Sequence, residues 1–379
     1  MIDLSDSPAE AEFRAEARTW LRQNAPPQDW PSGDTREGFA LHKQWERQLF
    51  DAGWAVVSWP TEYGGRGASL WQWLIFEEEY WAAGAPPRVT QNGLFLLAPT
   101  LFEYGTDEQK RRILGPMASA DFLWAQAWSE PGAGSDLASL KSTGTRVDGG
   151  WLLNGQKTWC TRAAFCDGVF GLFRTHPDQP RHKGLSYLMA PLHAPGVTVR
   201  GFERLDGDEG FAEVFFDDVF VPDSDVIGEP GRGWYAAMST ASSERGLTLR
   251  SPGRFTATAD RLIELWHERG DPADTAASDR VVQGWIEAQA YQLRTLEQVG
   301  RMVAGDKLGA EQSMGKLWWS ELDVRLHETA LDLCGEAPDP EWFKGWQFAL
   351  GGPIYAGTNE VQRGIVADHV LGLPRDRKR

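Results

Sequence analysis

The chain has 379 residues, enough for two or three packed units, so neither disulfides nor a structural metal is needed to hold it together. Its 54 acidic against 38 basic residues give a net charge of -16, which repels phosphate backbones and anionic lipid and excludes nucleic acid as an expected partner. Cys160, Cys166 and Cys334 form no CxxC pair, and no stretch reaches the roughly 18 apolar residues of a membrane span. With the acidic start "MIDLSDSPAEAEF", this leads us to expect a cytoplasmic protein without metal or membrane anchor.

In chain order, Ser7 followed by Pro8 is a helix start, and Phe13, Ala17, Trp20 and Leu21 share one face before Pro26 and Pro27 stop the helix. Helices follow at 36–52, 69–83 and 107–119, while "WPTEYGGRGAS" at 59–69 is too glycine-rich to be one. The period then changes to two. Asp148-Gly149 and Asn154-Gly155 are hairpin signals, and strand-like runs continue to Pro222, with connections short enough to imply an antiparallel sheet. Beyond "GEPGRGW" at 228–234 the helical period returns. Val282, Ile286, Leu293, Leu296 and Val303 trace one apolar stripe, and Leu317, Leu322, Leu326 and Leu333 trace another, as the core faces of a bundle would.

Several familiar motifs are missing or incidental. No GxGxxG follows a strand. "GAEQSMGK" at 309–316 has the wrong spacing for a phosphate loop, and its Ser-Met-Gly-Lys lacks the partners a Ser-x-x-Lys enzyme requires, so both read as structure. Two constellations are denser. "WSEPGAGSDLASL", from Trp128 to Leu140, places Gly132 and Gly134 where backbone can approach a ligand closely and adopt positive φ; a long turn leaving the sheet reads equally well. "NGQKTWCT" puts Trp159 and Thr161 on one side of a strand, an indole beside a hydroxyl, which suits an aromatic cofactor or an ordinary sheet core.

"SEPGAGSDLASL", "NGQKTWCT", "GFAEVFFDDVFVP", "GEPGRGW" and "IYAGTNEVQRGIVADHVLGLP", in that order, resemble the acyl-CoA dehydrogenase family, and with "WPTEYGGRGAS" the resemblance spans nearly the whole chain. It implies a multidomain α+β fold: an N-terminal helical domain at 1–120, a middle antiparallel β domain at 121–225 and a C-terminal four-helix bundle at 226–379. The implied cofactor is FAD, held between the β domain and the bundles of two subunits. By position, Trp128 and Ser129 would line the flavin, Ser135 would lie near the pyrophosphate or thioester arm, Trp159 would stack on the ring and Thr161 would address N5. Thr358 and Glu360 fall where relatives meet the diphosphate and ribose, and Arg280 would stand in for an absent Arg-x-x-Phe-Gly run.

Many relatives take the α-proton of the acyl thioester with a carboxylate in the last loop, at the position of Ala356 here. A methyl accepts no proton, but the Ala356 backbone N–H survives to hold the thioester carbonyl. In isovaleryl-CoA and long-chain acyl-CoA dehydrogenases the glutamate lies on a bundle helix before an arginine, and Glu244 and Arg245 match that pattern; a surface ion pair is the plain alternative. Arg245 and Tyr355 are the further expected substrate contacts. The expected activity is α,β-dehydrogenation of acyl-CoA or a carrier-protein thioester, with an electron-transfer flavoprotein as acceptor and a homo- or hetero-oligomeric assembly, dimer or tetramer. A flavin oxidase or monooxygenase, or a non-catalytic subunit of a mixed complex, are the other readings.

Overall fold

The computed structural model describes residues 5–374 apart from 28, 246–250, 307 and 338, and the side chains of 242–245 also lie outside the described set. The helices α1 (Pro8–Asn24), α2 (Arg36–Asp51), α3 (Leu70–Ala82), α4 (Ala98–Tyr104) and α5 (Asp107–Ala118) come first. The strands are β1 (Trp124–Ala127), β2 (Thr143–Val147), β3 (Gly150–Thr161), β4 (Gly168–Arg174), β5 (Leu185–Pro191), β6 (Val197–Phe202), β7 (Phe211–Pro222) and β8 (Val226–Ile227). Helices α6 (Gly233–Arg245), α7 (Pro252–Arg269), α8 (Thr275–Val303), α9 (Gln312–Cys334), α10 (Pro340–Ala349) and α11 (Asn359–Ile365) complete the chain. The early helices start where local chemistry says they should. Ser7, Ser69 and Thr106 each accept from an amide three residues on, and Glu10, Gln72 and Gln109 return the bond to the cap amide. The sequence reading missed 92–104, where a π-helical stretch at Asn92–Leu97 runs into α4.

The chain divides into two compact units. The sheet unit is Asp29–Gly67 with Pro86–Glu244, and the bundle unit is Met1–Gln28, Ala68–Ala85 and Arg245–Arg379. The N-terminal helices are therefore shared out: α1 and α3 belong with the bundle, α2, α4 and α5 with the sheet.

In the sheet unit the strand order is β6-β7-β3-β2-β4-β5-β8, with β1 lying beside β4. Alternate residues such as Leu153, Val169, Phe173, Val214, Val219 and Val221 point into one core. Two expectations change. The sheet is not wholly antiparallel, because β1 pairs with β4 in parallel; the β2–β3 hairpin lies between them in sequence and supplies the length that such a crossover needs. Asp148-Gly149 is the tight turn between β2 and β3, but Asn154-Gly155 turns nothing. It sits inside β3 at a register shift against β7, where Asn154 exchanges hydrogen bonds with Asp218 at 2.9 and 3.0 Å.

The bundle core joins α7, α8 and α9 through Phe255, Leu262, Val281, Ala288, Tyr291, Trp319, Leu322 and Leu326. Leu322 and Leu326 confirm the second stripe, with Leu317 and Leu333 half-buried at its ends. The first stripe is reversed. Val282, Ile286, Leu293 and Val303 face outward, whereas Ala277, Val281, Gly284, Ala288, Tyr291, Thr295 and Val299 face the core. Close packing contributes at the middle of this face: a Cβ on Gly284 would come within 2.8 Å of Leu326, so no larger side chain fits there.

Candidate active site

Near its end β3 slips register against β7 between Lys157 and Cys160, and Trp159 adopts a left-handed backbone with φ of +60°. The irregularity turns its indole outward, 60% exposed, with Phe202 and Phe211 packed nearly perpendicular to it. Thr161 follows on the same side, half-buried, and its carbonyl accepts from Asn92 Nδ2 at 3.3 Å. Cys160 between them points inward, and burial pushes its thiol up to about 12.

The loop after β1 lies against the same strand. The Ser129 carbonyl accepts from Thr158 N–H at 2.9 Å, and Glu130 and Lys157 pair beneath it at 2.8 Å. The carboxylate also takes the amides of Lys141 and Ser142 at 2.6 and 2.9 Å, while the ammonium reaches the Leu172 carbonyl at 2.8 Å. Burial raises the Glu130 pKa, but the neighbouring ammonium and these donors outweigh it and hold the carboxyl below its usual range. Gly132 and Gly134 do not have the positive φ that seemed possible, and a Cβ on either would touch nothing within 4 Å. Neither turn geometry nor internal packing asks for glycine there, and the backbone is left open to close approach. Ser135 is exposed in the same loop.

The Trp128 indole N–H donates to the Tyr187 hydroxyl at 3.0 Å, which lies 3.4 Å from the Thr240 hydroxyl on α6. Thr240 in turn meets Thr100 at 2.6 Å. This buried chain ties α6 to the Trp128 loop and accounts for the grouping of that helix with the sheet. Glu244 and Arg245 occupy the last turn of α6, and their side chains lie outside the described residues.

In the bundle unit, "PIYAGT" at 353–358 forms a loop before α11 in which Ala356 and Gly357 are both left-handed, with φ of +56° and +82°. Among the described residues the N–H of Ala356 has no partner. The Tyr355 ring stacks on Trp319. Thr358 caps α11 by accepting from Val361 N–H at 3.3 Å. Glu360 is exposed, and bonds from its own amide and the Thr358 hydroxyl lower its pKa, so its carboxylate already takes up donors at that helix start. Arg280 pairs with Asp332 at 2.6 Å on the solvent side, both about half exposed.

Three family descriptions cover the chain in order: acyl-CoA dehydrogenase N-terminal domain over 7–121, middle domain over 125–219 and C-terminal domain over 231–371. Acyl-CoA dehydrogenase IpdE1 of Mycolicibacterium smegmatis is 39% identical, across 97% of this chain and 98% of its own. The chain belongs to the acyl-CoA dehydrogenase family. Among solved structures, "Tcur3481-Tcur3483 steroid ACAD" superposes with a TM-score of 0.87 at 27% identity, covering 99% of this chain and 100% of that one. The ChsE4-ChsE5 complex of Mycobacterium tuberculosis gives 0.84 at 28% identity, with the same coverage. This dehydrogenase is therefore an FAD-dependent enzyme acting on acyl thioesters.

The family binds FAD, and the residues of this chain fit it. An outward indole, a half-buried hydroxyl beside it and glycines open to close approach suit a flat ring with a polar edge and an anionic tail. Gln126, two residues before Trp128, adds a buried Nε2 with no partner among the described residues, a donor that a bound polar group would satisfy. The sequence reading missed Gln126, Asn92, Tyr187, Thr240 and the Glu130–Lys157 pair; only folding brings them to the motif residues. Among the described residues no helix is long and apolar enough to cross a membrane, and no group of His, Cys, Asp and Glu could hold a metal.

Proposed function

We propose that this dehydrogenase oxidises a bulky acyl thioester with Glu244 as base and the Ala356 N–H as carbonyl donor. The observation that carries the reading is the 353–358 loop: it keeps a family position for the base, fills it with a methyl, and leaves the amide without an internal partner. That amide suits the thioester oxygen, on which negative charge grows as the Cα–H bond breaks. Position 244 lies one turn beyond Thr240 on α6, and Thr240 belongs to the hydrogen-bonded chain that reaches Trp128. Its carboxylate takes the α-proton, and Arg245 holds the acyl-CoA. Closing substrate over the carboxylate excludes water and raises its affinity for that proton. When bound, FAD accepts the hydride that leaves Cβ as the carbon–carbon double bond forms. Trp128, Ser129, Trp159 and Thr161 orient the ring, Ser135 faces the pyrophosphate or thioester arm, and Thr358, Glu360 and Arg280 are assigned to the rest of the cofactor.

Similarity to the Tcur3481-Tcur3483 steroid ACAD supports an acyl group of ring-like bulk, as does a base moved away from the loop. The outward stripe of α8 supports a second subunit on that face, and the ChsE4-ChsE5 complex makes an unlike subunit as reasonable as a like one. Electrons are assigned to an electron-transfer flavoprotein. Anaerobic titration of the purified flavoprotein with a panel of acyl-CoAs tests the reading, with bleaching of oxidised flavin as the signal. Glu244→Gln is expected to slow bleaching by about 10²–10⁴-fold while flavin content stays the same. Full activity in that variant, or oxygen consumption with an amine or nitro compound and no bleaching by thioesters, favours the oxidase reading. Protein that takes up flavin only with an unlike subunit favours a shared site.

A further inference from the structure

The Ser-Met-Gly-Lys run carries no chemistry by motif, yet its lysine is among the most deeply buried polar residues of the bundle. Lys316, in the first turns of α9, is 0% exposed. Its Nζ donates to Asn359 Oδ1 at 2.7 Å, and Ser320, one turn further along α9, donates to the same oxygen at 3.1 Å. Asn359 Nδ2 passes a bond on to Glu321 Oε1 at 3.1 Å. A carboxamide accepts on one side and donates on the other, and α9 meets each side with its complement, which fixes the orientation of the group as well as its place. Asparagine is required for this: aspartate would lose the donor toward Glu321, and glutamine would carry its amide one methylene too far.

The consequences run straight to the loop. The Asn359 main-chain N–H reaches back to the Pro353 carbonyl at 2.8 Å and closes the neck of the loop. From α11, Gln362 Nε2 donates to the Ala356 and Gly357 carbonyls at 3.1 and 3.4 Å. These bonds hold Ala356 in a left-handed conformation that an alanine adopts only under constraint. Burying an ammonium is costly unless it is well bonded, whereas methionine or leucine would fill the same space without that cost. What the lysine supplies is direction.

We propose that Lys316, acting through Asn359, is a positioning residue for the acyl-thioester carbonyl, holding the loop so that the Ala356 N–H meets the oxygen whose charge grows during α-proton removal. This rests on the assignment of that amide made above. A donor to developing charge works only when placed within tenths of an ångström, so a loosened neck lowers the rate without removing any group that touches substrate.

The test uses flavin-loaded enzyme carrying Lys316→Met, Asn359→Leu or both. Three quantities are read: anaerobic bleaching rate with a reactive acyl-CoA, melting temperature, and the carbonyl stretch of a bound enoyl-CoA labelled with ¹³C at the thioester carbon. Lys316→Met is expected to slow bleaching by about 10–100-fold and to reduce the red shift of the bound carbonyl. The double variant removes both polar partners, so it is expected to regain melting temperature while rate and carbonyl shift stay impaired. If Lys316→Met alone does not fold, the double variant carries the test. Wild-type rate and shift in Lys316→Met, or recovery of both in the double variant along with its stability, overturns the proposal. Wild-type enzyme that no acyl-CoA bleaches overturns the assignment beneath it instead.

Discussion

Each unit of the molecule buries a lysine under a loop, and the two are bonded differently. In the sheet unit Lys157 rests on a carboxylate, Glu130, which also gathers two backbone amides of the following segment. In the bundle unit Lys316 rests on a carboxamide, Asn359, which passes one of its own hydrogens on to Glu321. A carboxylate accepts from every side, so it draws several donors to one point and pins a long flexible segment. A carboxamide has two unlike ends, so it fixes an angle, and the short loop before α11 depends on an angle.

The largest separation between the two should come from removing the ammonium. Lys157→Met leaves a carboxylate buried and uncompensated, at an expected cost of about 3–5 kcal/mol in denaturant unfolding, whereas Lys316→Met leaves an amide short of a donor, at about 1–3 kcal/mol. Equal losses would erase the distinction. Adding Glu130→Gln to Lys157→Met should restore much of the deficit, since the stranded charge goes with it.

Acid provides a gentler probe. The folded-state pKa of Glu130 is lowered from the ordinary value of 4.5, so the stability it contributes is fully present above that value and is lost as pH falls through the lower folded value. Unfolding monitored by tryptophan fluorescence between pH 5 and about 2 should show a limb that flattens in Glu130→Gln, and an unchanged limb would remove Glu130 from the account. The smallest effect belongs to the surface. Arg280→Ala breaks an ion pair with Asp332 that is about half exposed on both sides, so less than about 0.5 kcal/mol should be lost. Loss of flavin in that variant would show that Arg280 serves the cofactor despite this pairing.

The sequence carried the fold wherever local rules decide. The cap residues Ser7, Ser69 and Thr106 and the Asp148-Gly149 turn lie where their chemistry places them. It misled where the partner decides. Asn154-Gly155 has hairpin chemistry, but β7 lies alongside and converts it into an irregularity within one strand. On α8 the exposed Val282, Ile286, Leu293 and Val303 looked like the core face because periodicity records spacing and not side, and the helix packs through the face that carries Val281, Gly284, Ala288 and Tyr291. The motif residues were legible as a family pattern. The groups that hold them were not, since Glu130 and Lys157, or Lys316 and Asn359, become neighbours only in three dimensions.

Cys160 stands one residue from the indole proposed to stack on the flavin. A sulfhydryl whose pKa is pushed up to about 12, and which no solvent reaches, remains protonated at any working pH and offers peroxide almost no thiolate to attack. The strand that carries this indole is thus chemically quiet at its one sulfur atom, and peroxide added to the folded enzyme should leave that sulfur unchanged.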